Sequence, residues 1–239
     1  MQWFMNQHPV ESSQIFPIFG LPNSVFRHLP PIKIDEIITI SEQVTYQRNK
    51  LIYRQGNNIS GSYFVLRGII KIFKTGADGK EQIIRFARPG DIIAFRSLFS
   101  NEPACTSAQV HEDSTLLFIP GFFLIHLVKA DGTFALDLIQ LICQELGEAN
   151  EYITDIAQKT VRERLAEVLL HIEKTFGTDS QGFINLSLTR EEMANIVGTA
   201  TESTIRLLSE FKDDKLIDLS GRKIKILNRP FLQKLANMS

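Results

Sequence analysis

LTREEMANIVGTATESTIRLLSEF, residues Leu188–Phe211, decides how the rest of this chain is read. Thr189 is a good N-cap, and Glu192 three residues later completes a capping box. Met193, Ala194, Ile196 and Val197 give the short helix an apolar side. Gly198 interrupts it where a tight turn needs an unhindered backbone. Thr199-Ala200-Thr201 opens a second helix, with Ile205, Leu207, Leu208 and Phe211 as its apolar positions. A short helix, a glycine turn and a second helix make a helix-turn-helix. Downstream, Lys215–Leu219 and Lys223–Leu227 flank Ser220-Gly221-Arg222 as a two-stranded hairpin, which turns the motif into a winged helix. Asn228 before Arg229-Pro230 then opens a last short helix.

In a helix-turn-helix the N-terminal part of the second helix enters the major groove of double-stranded DNA. The residues exposed there would be Thr201, Glu202 and Arg206. Arginine bonds both O6 and N7 of guanine, and glutamate accepts from N4 of cytosine. Glu202 and Arg206 are four residues apart, so they share one helix face. On an isolated helix they would read as an ordinary surface ion pair; within a winged helix, base reading is favoured. Thr189, Arg190, Thr199 and Ser203 sit at helix starts, which suits phosphate contacts.

Upstream, Val161–Phe176 is amphipathic, with Leu165, Val168, Leu169 and Ile172 on one face and Gly177 as its C′ residue. Thr178–Gly182 reads as a turn, and Ile184–Leu188 alternates like a strand. From Phe134 to Ala157, Ile139, Ile142, Leu146, Ala149, Ile153, Ile156 and Thr160 step by threes and fours as a heptad seam. Two apolar positions per heptad favour a two-chain coiled coil over packing on the chain's own sheet. Before residue 130 the texture is β: Val44–Tyr46, Lys50–Tyr53, Ser62–Leu66, Ile69–Lys74, Gln82–Phe86, Asp91–Ala94, Ala108–His111 and Thr115–Ile119 are separated by turn signals such as Arg67-Gly68 and Arg88-Pro89-Gly90-Asp91. That spacing predicts an antiparallel barrel or roll. Asp78-Gly79 predicts a type I′ hairpin, and Leu21–Leu29 a short leading helix. The fold class is α+β, in four parts: an N-terminal extension (1–20), a β-roll (21–129), a dimerisation helix (130–158) and a winged helix-turn-helix (159–239).

The 239 residues carry 26 Lys+Arg against 27 Asp+Glu and are 44% hydrophobic, so the chain folds and is not basic throughout. Residues 159–239 nevertheless hold 13 Lys+Arg and 11 Asp+Glu, a net of +2 against −3 for the remainder. Non-specific attraction to phosphates is therefore modest, and specificity rests on a few side chains and on two-fold symmetry. The longest uncharged runs, Ser12–Phe26 and Ser114–Val128, span 15 residues each and contain Pro and Gly, too short to cross a membrane. Met1–Pro9 lacks the pattern of a signal peptide. The expectation is a cytoplasmic protein with no membrane partner.

The β-roll, the heptad helix, VRERLAEVLLHI and Leu188–Phe211 together resemble the cyclic-AMP receptor protein / fumarate-nitrate-reduction regulator (Crp/Fnr) superfamily of bacterial transcription factors. The resemblance covers about residues 20–236 and is most specific at Arg164-Leu165-Ala166 and Leu188–Leu208. It implies a homodimer whose roll senses an effector, whose long helix dimerises, and whose winged helices read a palindrome with half-sites roughly 34 Å apart. It also implies RNA polymerase as a partner. Glu202 and Arg206 match the family's recognition residues. The cyclic-AMP branch has an additional Arg where this chain has Thr201, so a half-site closer to TTGA than to TGTGA is expected.

The family's nucleotide cassette carries a Gly-Glu pair and, later, an Arg before Ser or Thr. Here Ala94-Phe95 replaces the first and Thr106-Ser107 the second, so both anchoring charges are gone. A buried cyclic phosphate would lack its arginine, which disfavours cyclic AMP; the alternative is that Arg96 substitutes. An effector pocket is expected around Phe95, Arg96, Ser97, Thr106 and Ser107. Two cysteines, Cys105 and Cys143, exclude a four-cysteine iron–sulfur cluster, and haem on His111 or His126 is the weaker alternative. Catalysis is not expected. A cupin-like metal enzyme needs an H-x-H pair that the five histidines do not form, and a nucleotide-binding regulatory subunit shares the missing cassette.

Overall fold

The computed structural model describes residues 12–236. The readings of Met1–Pro9, Trp3 and Phe4 lie outside the described residues. Backbone contacts divide the chain into two compact units, Met1–Glu145 and Leu146–Ser239.

The first unit is an antiparallel roll. Its strands are β1 (Glu42–Tyr46), β2 (Leu51–Tyr53), β3 (Gly61–Thr75), β4 (Glu81–Ala87), β5 (Ile92–Ile93) and β6 (Ser107–Pro120). The sheet order is β1-β6-β3-β4, with β2 added to β6 and β5 to β3. Two long strands replace two expected pairs of short ones. Ser62–Leu66 and Ile69–Lys74 form one continuous β3, and Ala108–His111 joins Thr115–Ile119 in β6. Arg67-Gly68 is therefore a bulge and not a turn: the pairing with β6 shifts register on both sides of Arg67. Gly68 has φ +86°, and a β-carbon there would run into Ser114 and the Asp113 carbonyl.

The hairpin at Asp78-Gly79 forms, but not as type I′. Gly79 has φ +78°, while Asp78 is not in the left-handed region. The connection spans Gly76–Lys80. The Gly79 N–H donates to the Gly76 carbonyl at 3.1 Å and the Gly76 N–H to that of Lys80 at 2.9 Å, a turn closed by one left-handed glycine.

Helices flank the roll: α1 (Ser12–Phe19), α2 (Pro31–Ile40), α3 (Phe95–Ser100), α4 (Gly121–Ala130) and the start of α5 (Gly132–Gln158). Leu21–Leu29 is a run of turns rather than the expected helix. Pro22 and Pro30 disfavour helical backbone in the residues before them, and Asn23 is committed elsewhere, its amide donating to the Pro89 carbonyl (2.9 Å) and to Asp91 (2.7 Å). Pro31 instead opens α2, where the missing N–H costs nothing. One core cluster fills the roll with Tyr53, Val65, Ile70, Ile93, Val110 and Leu116. A second is aromatic: Phe26 stacks on Phe134 with centroids 5.4 Å apart, and Phe19 meets Phe64 at 4.6 Å. Ile15 and Phe19 of α1 thus give the extension a packing role that its sequence did not disclose.

Helix α5 has two faces. Phe134 and Leu138 are buried in the aromatic core and Leu141 packs against it; Asp137 accepts from His28 at 2.9 Å. The other face carries Ile139, Ile142, Leu146, Ile153 and Ile156, all exposed, Ile153 at 65%; Ala149 between them is exposed as well. Thr160, read as the seam's last step, falls beyond the helix end. It is instead the N-cap of α6 (Val161–Phe176), in a complete capping box with Glu163.

The rest of the second unit is α7 (Arg190–Val197), α8 (Thr201–Asp213), β7 (Ile217–Ser220), β8 (Lys223–Ile226) and α9 (Arg229–Leu235). Ile184–Leu188 forms only a single bridge, Thr178 to Ile184, rather than a strand. Its alternation is real, with Ile184, Leu186 and Leu188 buried. Among the described residues no helix is long and apolar enough to cross a membrane.

Candidate nucleic-acid interface

The recognition element is built from local signals. Thr189 caps α7, its hydroxyl accepting from the Glu192 N–H at 3.0 Å while the Glu192 carboxylate accepts from the Thr189 N–H at 2.8 Å. Gly198 ends α7 in the left-handed conformation, φ +72° and ψ +50°, which a side chain would oppose. Ala200 then caps α8. Thr204, Leu207, Leu208 and Phe211 are the buried face of α8. With 100° per residue, Glu202, Ile205, Arg206 and Ser209 fall on the opposite face, and all four are exposed.

Of the residues expected to read bases, Glu202 and Arg206 stand fully on this outer face and Thr201 is half-buried at its start. Arg206 has 71% of its side chain exposed. Its ion pair is with Glu210 at 3.7 Å, not with Glu202. Glu210 is in turn held by Arg162, which donates to it and to Asp214 at 2.9 Å each and stacks over Phe211 at 4.9 Å. Arg206 thus leans on a carboxylate whose other oxygen is anchored to α6.

Two of the residues expected to meet phosphates also bond within the chain. The Thr189 hydroxyl is engaged as a cap. Arg190 donates to the Gly221 carbonyl at the wing tip, 3.2 Å away, joining α7 to the hairpin. Thr199 and Ser203 are half-buried around the start of α8. The wing closes with a two-residue loop, Gly221-Arg222, with Gly221 at φ +61° and Arg222 exposed. Lys223 bonds Asp179 at 2.9 Å, and that hydrogen bond pulls the Asp179 carboxyl below its usual value.

Two residues were missed at the sequence level. Ile205, counted among the apolar core positions of α8, is 46% exposed between Glu202 and Arg206. Arg164 was noticed only as part of a family signature. Its buried guanidinium donates to the carbonyls of Lys159 (3.0 Å) and Ile156 (3.4 Å) at the end of α5. It also donates to those of Val197 (3.0 Å) and Gly198 (3.4 Å) at the end of α7. One cation therefore caps two helix C-termini, where unpaired carbonyls and the negative ends of two dipoles converge. A buried charge without a carboxylate is tolerable because carbonyls satisfy it.

The five residues expected around an effector differ in exposure. Phe95 is 2% exposed and belongs to the aromatic core, while Arg96 is exposed on α3. Ala94, where the family has glycine, keeps a left-handed backbone at φ +69°. Ser97 and Ser107 are buried; the Ser107 hydroxyl accepts from the Gln55 N–H at 3.0 Å. The Thr106 side chain bonds the Tyr53 phenol, whose pKa burial pushes up to about 12. The arginine beside this group is Arg85 of β4, which pairs with Glu145 of α5 at 3.1 Å. A cavity of about 270 Å³ opens between Asn57–Gly61 and the rings of Tyr53, Tyr63 and Phe118, and none of the five lines it. His111 is buried against Phe86, ring centroids 5.2 Å apart, and His126 is exposed on α4.

Comparison with known proteins follows the same division. Residues 43–131 match the family model of the cyclic nucleotide-binding domain, and residues 163–235 that of the Crp-like helix-turn-helix domain. The fumarate and nitrate reduction regulatory protein of Vibrio cholerae is 27% identical over 211 residues, covering 87% of this chain and 82% of its own length. The CRP-like cAMP-activated global transcriptional regulator of Mycobacterium tuberculosis is 23% identical, covering 89% and 96%. The solved structure of FixK2 from Bradyrhizobium japonicum matches with a TM-score of 0.74 at 25% identity, over 82% of this chain and 97% of that one.

Proposed function

Since this chain belongs to the Crp/Fnr superfamily of DNA-binding transcription regulators, we propose that it reads a two-fold symmetric DNA site as a homodimer, with Glu202 and Arg206 of each protomer on base edges in the major groove. The observation that carries this reading is the split of α8: Thr204, Leu207, Leu208 and Phe211 inward, Glu202 and Arg206 outward. Arg206 takes guanine O6 and N7, Glu202 takes cytosine N4, and Thr201 adds a shorter contact at the helix start. Thr189, Arg190, Thr199 and Ser203 sit close to the phosphates. With Thr201 in place of an arginine, the half-site is closer to TTGA than to TGTGA.

The dimer forms along α5. Its seam, Ile139, Ile142, Leu146, Ala149, Ile153 and Ile156, keeps a heptad step and is exposed among the described residues. The proposed parts are an extension (1–20), the roll (21–129), the dimer helix (130–158) and the winged helix (159–239). The roll answers to an effector other than cyclic AMP: no arginine stands at Thr106, and Phe95 fills the acidic position with a core side chain. An effector acts by favouring one disposition of the dimer helix, which requires different affinities for two states. The protein works in the cytoplasm with RNA polymerase as its partner, and it is not an enzyme.

Selection of bound sequences from randomised duplex DNA tests the proposal. The expected product is a palindrome whose half-sites lie about one helical turn apart. A well-folded protein that enriches no sequence refutes it, and a strong preference for TGTGA refutes the half-site.

A further inference from the structure

The four bonds of Arg164 join two particular places. Nη1 donates to the carbonyls of Ile156, the last residue of the α5 seam, and of Lys159, just beyond the helix end. Nε and Nη2 donate to the carbonyls of Val197 and Gly198, in the turn just before α8. The stretch of α5 from Leu146 onward and the winged helix belong to one compact unit. Within that unit, this one side chain links the exposed seam to the start of the recognition helix. Arg164 is 9% exposed, so little water competes for those carbonyls. Its planar guanidinium holds its donors in a fixed fork and constrains the angle between the two helix ends as well as their distance. The neighbouring cations join other places. Lys159 bonds Asp155 at 2.8 Å and Glu167 at 2.7 Å, tying α5 to α6 with a point charge, and Arg162 ties α6 to α8 through Glu210 and Asp214.

From these bonds we infer that Arg164 is a positioning residue that sets the separation of the half-sites the dimer accepts. It fixes the start of α8 against the seam, and the two-fold axis through the seam then fixes one recognition helix against the other. The inference rests on the homodimer reading above. One added base pair moves a half-site by about 3.4 Å and turns it by about 34°. A junction held by a rigid fork rejects both changes, whereas a junction held by a single flexible donor absorbs them. Arg164 leaves the outer face of α8 alone, so the sequence read within each half-site does not depend on it.

The test uses full-length protein and the selected palindrome with its centre shortened or lengthened by one or two base pairs, beside a duplex carrying a single half-site. Wild-type protein is expected to lose at least about tenfold in affinity at each altered spacing, since a misplaced second half-site cannot be engaged together with the first. Arg164→Lys keeps the charge but not the fork. It is expected to bind all spacings within about threefold of one another and to keep its preference for the single half-site over random DNA. Lys159→Gln is expected to keep the wild-type spacing profile. Wild-type protein that reads the half-site but ignores the spacing overturns the inference. So does Arg164→Lys protein with the wild-type profile, or Lys159→Gln protein whose profile is flattened as much as that of Arg164→Lys. Arg164→Gln serves if the lysine variant does not fold; failure of both to fold, read by circular dichroism, makes Arg164 a structural support and overturns the inference too. Wild-type protein with no half-site preference refutes the groove reading instead, which separates the two levels.

Discussion

In the winged-helix unit the residues that match the family's recognition pair are held outward: Glu202 and Arg206 are exposed on α8 while the opposite face of that helix is closed by Leu207, Leu208 and Phe211. In the roll the corresponding comparison runs the other way. Phe95 replaces an acidic ligand position and is swallowed by the aromatic core, Thr106 bonds Tyr53, and Ser107 is tied to the backbone at Gln55. The base edges of DNA offer one fixed pattern, so a recognition helix has little room to change its chemistry. A sensor has no such fixed partner: once a ligand charge is gone, the vacated positions can be absorbed into packing. The two units therefore place their matching positions differently, outward on α8 and into packing in the roll.

Breaking the dimer should have the largest effect on that contrast. Leu146→Asp combined with Ile153→Asp places charge on the exposed seam of α5. Sedimentation should report monomers, and affinity for the palindromic site should fall by about a hundredfold or more as the two half-sites lose their linkage. A double variant that stays dimeric would place the interface elsewhere. Next in size is Phe95→Ala. If this position is core and not a ligand site, truncation should destabilise the roll by about 3–5 kcal/mol in urea unfolding. A loss near zero would mean that Phe95 lines an open pocket. The smallest effect belongs to Glu210→Gln. Releasing Arg206 from its partner and removing one negative charge near the phosphates should tighten binding to random DNA and lower discrimination, each by about twofold, since exposed ion pairs on helices are weak. Unchanged discrimination would show that Glu210 does not position the arginine.

Where the sequence could be read, the signals were local and redundant. The capping box at Thr189, the glycines at 177 and 198, the wing loop at Gly221 and the cap at Asn228 each act within a few residues of where they are written. Each appears where expected. Some misreadings involved partners distant in sequence, and others a choice between two local uses of one residue. Arg67-Gly68 has the composition of a turn, but Ser114 and Asp113, on the neighbouring strand, make it a bulge. Thr160 fitted the heptad step of α5 and the cap of α6 equally well, and the chain uses the second. Leu21–Leu29 lost its helix to prolines and to the hydrogen bonds of Asn23 with Pro89 and Asp91.

The site was legible to the same degree. The exposure of Glu202 and Arg206 on one face of α8 follows from their four-residue spacing within a recognisable winged helix. The anchoring of Arg206 through Glu210 to Arg162 depends on residues 48 positions apart, and the double helix cap by Arg164 joins segments 33 and 34 positions apart. Ile205 was misplaced because an apolar residue beside Leu207 and Leu208 looks like core until the helix is rotated into place. In the roll, the Arg85–Glu145 pair spans a strand and a helix far apart in the chain, beyond the reach of any local pattern.

The central claim is that the winged helix reads bases through Arg206. The most direct measurement is the ratio of affinities for the selected palindrome and for random DNA, in wild-type and Arg206→Ala proteins at one fixed salt concentration. The account predicts that the ratio falls by about 1–3 kcal/mol per half-site, with binding to random DNA changed far less. An unchanged ratio would contradict it.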